Sequence, residues 1–378
     1  MIRKIKLQNF KCFDSEETFD TSKINVWAGY NGRGKSTVMQ SILLLGQSIC
    51  RYDNVETLDV NGIYVSLGVF DDLVNNKTNE DVILFSFYTD EIGEFSLGYK
   101  ESDSYERKGN LCKMFVGSDD FFASASLLSD KDASLKVDTQ NTISIDCPSE
   151  ILDLFKNIYY ISADRKGPQL FEQKSDINSF NPIGTKGEYM LNYISKHYDS
   201  IKEINQWLSH IMDGGAISLN GESKESTVLS LDFCFDGDSN KFRSIDVGYG
   251  YSYALSIIVT LITMQKGVLI IENPEAHLHP MAQWRLTEMI AKMVSTKPIQ
   301  VFVETHSEHI VNGFRIWALD TNININNKDL SIYFFDKDYA VKHLEVQQNG
   351  RINNWPKGFF DQFEMEMAQI IKLGSTAR

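Results

Sequence analysis

Gly29-Tyr30-Asn31-Gly32-Arg33-Gly34-Lys35-Ser36-Thr37 lies between an apolar run, Lys23-Ile24-Asn25-Val26-Trp27-Ala28, and a stretch in which Val38, Met39, Ile42, Leu43, Leu44 and Leu45 recur without proline. The order is strand, glycine turn, helix. Such a turn lets successive backbone N–H groups converge on one point, and the N-terminus of the following helix adds the positive end of its dipole. Together they cradle phosphate. The spacing G-x-x-x-x-G-K-[ST] then assigns roles by reach. Asn31, Gly32, Arg33 and Gly34 form the cradle, and Lys35 reaches the β and γ phosphates. Ser36 offers a hydroxyl to Mg²⁺, and Thr37 contacts the α phosphate. ATP and Mg²⁺ are the expected ligands.

A second cluster supplies metal and water chemistry: Ile270-Ile271-Glu272-Asn273-Pro274-Glu275-Ala276-His277-Leu278-His279-Pro280. An apolar strand that ends in a carboxylate delivers it to the C-terminal edge of a parallel sheet, beside the phosphate loop. Glu272 is therefore the expected Mg²⁺-side group. A third strand, Val301-Phe302-Val303-Glu304, brings Thr305-His306-Ser307 to the same edge, where His306 reaches the γ phosphate or the attacking water. Glu275 follows Pro274, and the turn either carries its carboxylate to that water or does not. His277, His279, His306 and His309 also admit a zinc reading, but no cysteine or third carboxylate has the accompanying spacing. Hydrogen bonding around a nucleotide and an adjacent turn is the plainer account.

Working outward, residues 1 to 28 read as strands, and short apolar runs such as Val82 to Phe87 and Phe95 to Tyr99 suggest an antiparallel lobe between about 60 and 150. Helical patterns follow at Glu188 to Tyr198 and Ile201 to Met212, then a strand from Thr227 to Phe235 and a helix from Ser252 to Met264. Beyond them, strand Gly267 to Ile271, helix 281 to 294, strand Ile299 to Val303 and helix Glu308 to Leu319 alternate, which implies a largely parallel sheet covered on both faces. No sustained heptads are present, so a long coiled-coil arm is not expected.

With 378 residues, 42% of them hydrophobic, and only 7 prolines, the chain has material for two interleaved lobes and little for a flexible linker. Its start alternates basic and apolar residues, and no later run is long and apolar enough to span a bilayer; neither a signal peptide nor a membrane span is expected. Five scattered cysteines fit a reduced, cytoplasmic setting. A net charge of −14 repels nucleic acid, so contact with it needs a local basic patch, and Arg165-Lys166 is one short candidate.

With its three clusters in order, the chain resembles ABC-type ATPases of the DNA-repair and chromosome-maintenance branch, in the compact form without coiled coil. More closely, it is similar to prokaryotic predicted ATPases that carry a short C-terminal domain of unknown function. The likeness rests on Ile5 to Phe13, Ser66-Leu67-Gly68 with Asp71-Asp72, and Ile161 to Arg165 with Gly167-Pro168. It continues through Asp246 to Ser252, Glu272 to Pro280, Glu304 to His309 with Asn312 to Arg315, and Trp355 to Gln362. It implies an α/β P-loop NTPase of the ABC head type, a mixed sheet core with an inserted antiparallel β lobe and a helical lobe. The expected divisions are 1–58 and 226–325 for the core, 59–149 for the β lobe, 150–225 for the helical lobe and 326–378 for a C-terminal tail.

The resemblance further implies a signature segment that closes on the γ phosphate of an opposite protomer, hence a homodimer or a higher oligomer built on it. Gly248 to Ser252 occupies that place but departs from the usual L-S-G-G-Q pattern, with Gly248 where the signature serine would be, though Gly250 keeps a glycine and Ser252 offers a hydroxyl; a plain glycine turn capping a helix is the other reading. Such ATPases often stand beside a separate effector in anti-phage defence. Asn273 occupies the position where a hydrolytic site of this class usually has glutamate, which separates a slow ATPase from an ATP-loaded scaffold that does not hydrolyse. Nucleic-acid binding of the repair type remains a further reading. Asp164 with Glu172-Gln173-Lys174 mimics a nuclease triad, but the pattern is common by chance and too little chain follows Ser331 for an appended nuclease domain.

Overall fold

Four apolar runs far apart in sequence lie side by side. The computed structural model describes residues 1–117, 119–121, 136–137, 143–144, 147–176, 180–235, 240–353 and 355–376. Its central sheet has the strand order Ile158–Ile161, Gly267–Glu272, Ile299–Thr305, Ile24–Gly29, Leu330–Phe335 and Val341–Leu344. The first five are parallel, and the last joins antiparallel. Every residue of Ile299–Thr305 and Leu330–Phe335 is buried, which is why those strands read as unbroken apolar runs rather than alternating ones.

Alternation of side chains divides the interior in two. Val26, Leu269, Ile271, Val301 and Val303 face a core built with helices Tyr249–Thr263, Pro280–Thr296 and Glu308–Trp317. Trp27, Val268, Ile270 and Phe302 face the other core, which contains the helix Lys35–Tyr52 and an antiparallel sheet. That sheet runs Glu17–Asp20, Ile2–Gln8, Ile83–Thr89, Gly93–Ser102, Tyr105–Val116, Thr57–Asp59. The antiparallel lobe is thus continuous with the chain's first two strands, through pairs such as Ile5 with Phe87.

A third unit packs helices Met190–Lys196 and Ile201–Met212 against the hairpin Ala216–Asn220 and Val228–Cys234. Ile158–Ile161, within the stretch that reads as mainly helical, belongs instead to the core sheet. Past the sheet, Phe359 is buried against Phe334, and helix Gln362–Thr376 leaves Phe363, Ile370, Ile371 and Leu373 exposed. Among the described residues no helix is long and apolar enough to cross a membrane.

Candidate active site

Parallel pairing fixes what meets at the sheet's C-terminal edge. Glu272 lies opposite Glu304, Glu304 opposite Trp27, and Phe335 opposite Gly29. Beyond Gly29 the chain turns through left-handed backbone at Gly29 (φ 129°) and Gly34 (φ 103°) into an 18-residue helix. A Cβ on Gly29 would sit 2.3 Å from the Phe335 carbonyl oxygen, so both conformation and space demand glycine there. No side chain caps the N-terminus of that helix, whereas Ser307 and His279 cap the two helices that follow the other core strands. Uncapped N–H groups and a glycine cradle are what an anion needs.

The cleft in front of this end measures about 500 Å³. From the loop and helix it gathers Asn31, Gly32, Gly34, Lys35, Ser36 and Thr37; from across it come Glu272, Asn273, Glu304 and His306. Lys35, only 3% exposed, donates from Nζ to the carbonyls of Gly29 (3.0 Å) and Tyr30 (2.7 Å). Burial lowers its pKa, against the pull of Glu304 at 4.0 Å. Ser36 Oγ donates to Glu304 Oε2 at 2.7 Å. The hydroxyl expected beside Glu272 is thus engaged by the neighbouring strand's carboxylate, which occupies the equivalent end of the equivalent kind of strand. Burial, with Glu272 and Glu275 nearby, raises the Glu304 pKa to about 6 despite the Ser36 hydrogen bond. Glu272 itself accepts from the Ala163 N–H at 3.1 Å.

Asn273 holds left-handed backbone (φ 44°), a conformation asparagine tolerates better than most residues, and its N–H donates to the Glu304 carbonyl at 2.8 Å. Its Oδ1 is buried and has no hydrogen-bond partner. Glu275 does not line the cleft: its carboxylate accepts from Thr305 Oγ1 (2.8 Å) and from the His306 N–H (2.7 Å). It therefore anchors the segment that carries His306. The imidazole's pKa is lowered by burial and by Lys35, with Glu275 opposing.

Other expected residues lie apart from the cleft. The Arg33 guanidinium rests 4.4 Å from the Tyr339 ring centre. Gly248, Gly250 and Ser252 begin the helix Tyr249–Thr263 away from the phosphate loop, and Ser252 borders a second cavity of about 350 Å³ with Gly167 and Phe171. A Cβ on Gly250 would come within 2.7 Å of the His277 carbonyl oxygen, so this helix packs directly on the turn that follows Glu272. His279 serves as a helix cap, and the His277 ring lies tilted to Tyr249 and edge-on to Tyr253.

Asp164, Glu172 and Lys174 do not assemble. Asp164 pairs with Lys186, Glu172 accepts from the N–H groups of Leu191 and Asn192, and Lys174 donates to the Ser223 carbonyl. Arg165, half of the short basic candidate, is 3% exposed and donates to the carbonyls of Glu272 and Asn273. Sequence reading missed both its place and the Glu304 contact to Ser36. For Glu304 a signal existed, since it ends an apolar core strand as Glu272 does; for Arg165 none did.

A parallel sheet that presents a glycine cradle, a buried lysine and two carboxylates at one edge defines a P-loop nucleotide site, and the fold around it is that of an ABC-type ATPase head. The chain belongs to the AAA ATPase domain family, whose model matches residues 1–311. Residues 325–370 match a domain described as a protein of unknown function, DUF3696. The fold is similar to an SMC head crystallised with the C-winged helix domain of ScpA, with a TM-score of 0.52 and 14% identity over 92% of this chain and 98% of that one. An SMC head with an extended coiled coil from Pyrococcus furiosus aligns with a TM-score of 0.49 and 13% identity over 98% of this chain and 99% of that one. An uncharacterised protein of Methanocaldococcus jannaschii, MJECL11, is 32% identical over 66 residues, which are 18% of this chain and 58% of that relative's length.

Proposed function

We propose that this ATPase is a switch of two protomers, in which ATP closes the pair, slow hydrolysis reopens it, and the cycle controls a separate effector protein. The observation that carries the reading is the division of the site. The phosphate cleft and the Gly248 to Ser252 segment share no lining residue, and Tyr249 at the start of that segment is 56% exposed. A second copy related by a two-fold axis would bring each exposed segment against the other's cleft.

In this reading Lys35 leaves the carbonyls of Gly29 and Tyr30 for the β and γ phosphates, and the uncapped helix end receives them. Mg²⁺ would be held by the Ser36 hydroxyl with the carboxylates of Glu272 and Glu304, and would neutralise phosphate charge there. The unpartnered Oδ1 of Asn273 orients the attacking water as an acceptor, but an amide is a very weak base, so turnover falls well under the ~10 per second of a median enzyme. The same asparagine supports the second reading, a scaffold that loads ATP without hydrolysing it.

An effector partner is supported by the SMC head that carries a bound winged-helix domain, and a role in prokaryotic anti-phage defence by resemblance alone. The net charge of −14 argues against extended nucleic-acid binding. Light scattering with and without Mg-ATP, paired with phosphate release at several protein concentrations, tests the switch. A doubling of mass and a rate per chain that rises with concentration are expected; a monomer at saturating ATP refutes the paired site, and a dimer with no phosphate release selects the scaffold.

A further inference from the structure

The segment Ser162-Ala163-Asp164-Arg165 follows the edge strand Ile158–Ile161 of the core sheet, and at Ala163 it borders the phosphate cleft. Ser162 donates its N–H to the Thr185 carbonyl and Asp164 pairs with Lys186, whereas Ala163 and Arg165 are directed at the acidic turn. The Ala163 N–H reaches the Glu272 carboxylate at 3.1 Å, and Arg165 Nη2 donates to the Glu272 carbonyl at 2.9 Å and to the Asn273 carbonyl beside it. The guanidinium carbon lies 4.9 Å from the ring centre of Tyr253, one turn into the helix that starts at Gly248. Tyr253 in turn meets the His277 ring at 4.7 Å, on the far side of the same turn.

Arg165 is 3% exposed, yet its Nε and Nη1 have no hydrogen-bond partner. A buried cation that leaves donors unmatched is a poor way to stabilise a fold, since each unmatched donor forfeits its hydration. Its surroundings instead suit a strut. A single nitrogen, Nη2, holds two successive main-chain carbonyls, which fixes the direction in which the Glu272 and Asn273 side chains leave the turn, and the flat face of the guanidinium bears on the helix whose first residues form the segment proposed to meet the other protomer.

We infer that Arg165 is a positioning residue that joins the Gly248 to Ser252 helix to the Glu272–Asn273 turn, so that closure of a second protomer on that helix sets the hydrolytic geometry. This rests on the two-protomer reading above. Movement of the helix shifts Tyr253, the guanidinium follows the ring to keep its cation–π contact, and the two carbonyls follow the guanidinium. The direct phosphate contacts lie off this path, because Lys35 and the glycine cradle reach the phosphates from the side of the cleft opposite Glu272 and Asn273.

The test uses the full chain with Arg165→Lys, Tyr253→Phe and Tyr253→Leu beside the wild type, because Arg165→Ala would strand two buried carbonyls and endanger folding. For each, ATP binding, the Mg-ATP-induced mass change and the kcat and KM of phosphate release are measured. Lysine keeps the charge and can still donate to carbonyls, but it has no flat guanidinium to bear on the Tyr253 ring, and leucine removes the ring while phenylalanine keeps it. Arg165→Lys and Tyr253→Leu should bind ATP and pair as the wild type does, with KM unchanged and kcat lower by at least about tenfold, the scale on which small misplacement of reacting groups acts. Tyr253→Phe should stay near wild type. Wild-type kcat in both Arg165→Lys and Tyr253→Leu, with the ATP-driven dimer intact, overturns the inference alone; so does a fall that only tracks lost ATP binding or lower melting temperature. A wild type whose mass ATP leaves unchanged overturns the two-protomer reading instead, and the coupling with it.

Discussion

Replacing Glu304 with glutamine should stabilise the nucleotide-free protein while removing its hydrolysis. The carboxyl is 8% exposed, and its pKa stands at about 6 against an ordinary 4.5. A folded-state pKa above the unfolded one means that the native state binds the proton more tightly, so the group's contribution is full below pH 4.5 and is lost as pH rises through 6. A difference of this size corresponds to about 2 kcal/mol of native stability surrendered at neutral pH. Glutamine avoids that loss, because it is neutral throughout, matches the shape, and still offers an oxygen to the Ser36 hydroxyl. In urea unfolding of nucleotide-free protein, Glu304→Gln should exceed wild type by about 2 kcal/mol at pH 7.5 and match it near pH 4. Phosphate release should be lost in the same variant. A stability difference that does not change between the two pH values, or a variant less stable at pH 7.5, would refute the assignment of a raised pKa to this carboxyl.

Three further substitutions probe the turn. Asn273→Glu supplies a carboxylate base and should raise phosphate release by about tenfold or more, although glutamate in left-handed backbone should lower stability by about 1 kcal/mol; an unchanged rate would place the base elsewhere, on Glu304 or His306. Glu275→Gln can satisfy only one of the donors Thr305 Oγ1 and His306 N–H with its remaining oxygen, so kcat should fall while ATP binding survives; a variant with wild-type kcat would show that His306 needs no such anchor. Gly250→Ala drives a methyl to 2.7 Å from the His277 carbonyl and should destabilise by about 1–3 kcal/mol, read as a lower melting temperature; an unchanged melting curve would mean that the helix can withdraw from the turn freely.

What was legible in the sequence divides along a physical line. Ile24–Gly29, Gly267–Glu272 and Ile299–Thr305 announced themselves because strands buried on both faces must be apolar throughout, and the phosphate loop because its glycines answer a local backbone demand. Pairing between distant strands leaves no such mark. Nothing near Ile5 states that Phe87 will lie opposite it, and so the antiparallel lobe's continuity with the N-terminus was invisible. The same limit hid the Ser36 contact to Glu304, which depends on Ile299–Thr305 lying next to Ile24–Gly29. Arg165 meets carbonyls 107 and 108 residues away, a distance at which an arginine inside a loop reads as ordinary surface charge.

Steady-state phosphate release by wild type and Lys35→Ala, measured side by side with ATP binding, tests the central claim that this cleft binds and hydrolyses ATP. The lysine is a single charge in a site otherwise built of backbone, and the Gly29 and Tyr30 carbonyls it serves can accept from water once it is gone. Slow, Mg²⁺-dependent release by the wild type and neither binding nor release by a folded Lys35→Ala is the expected result. Equal release from both proteins would contradict it.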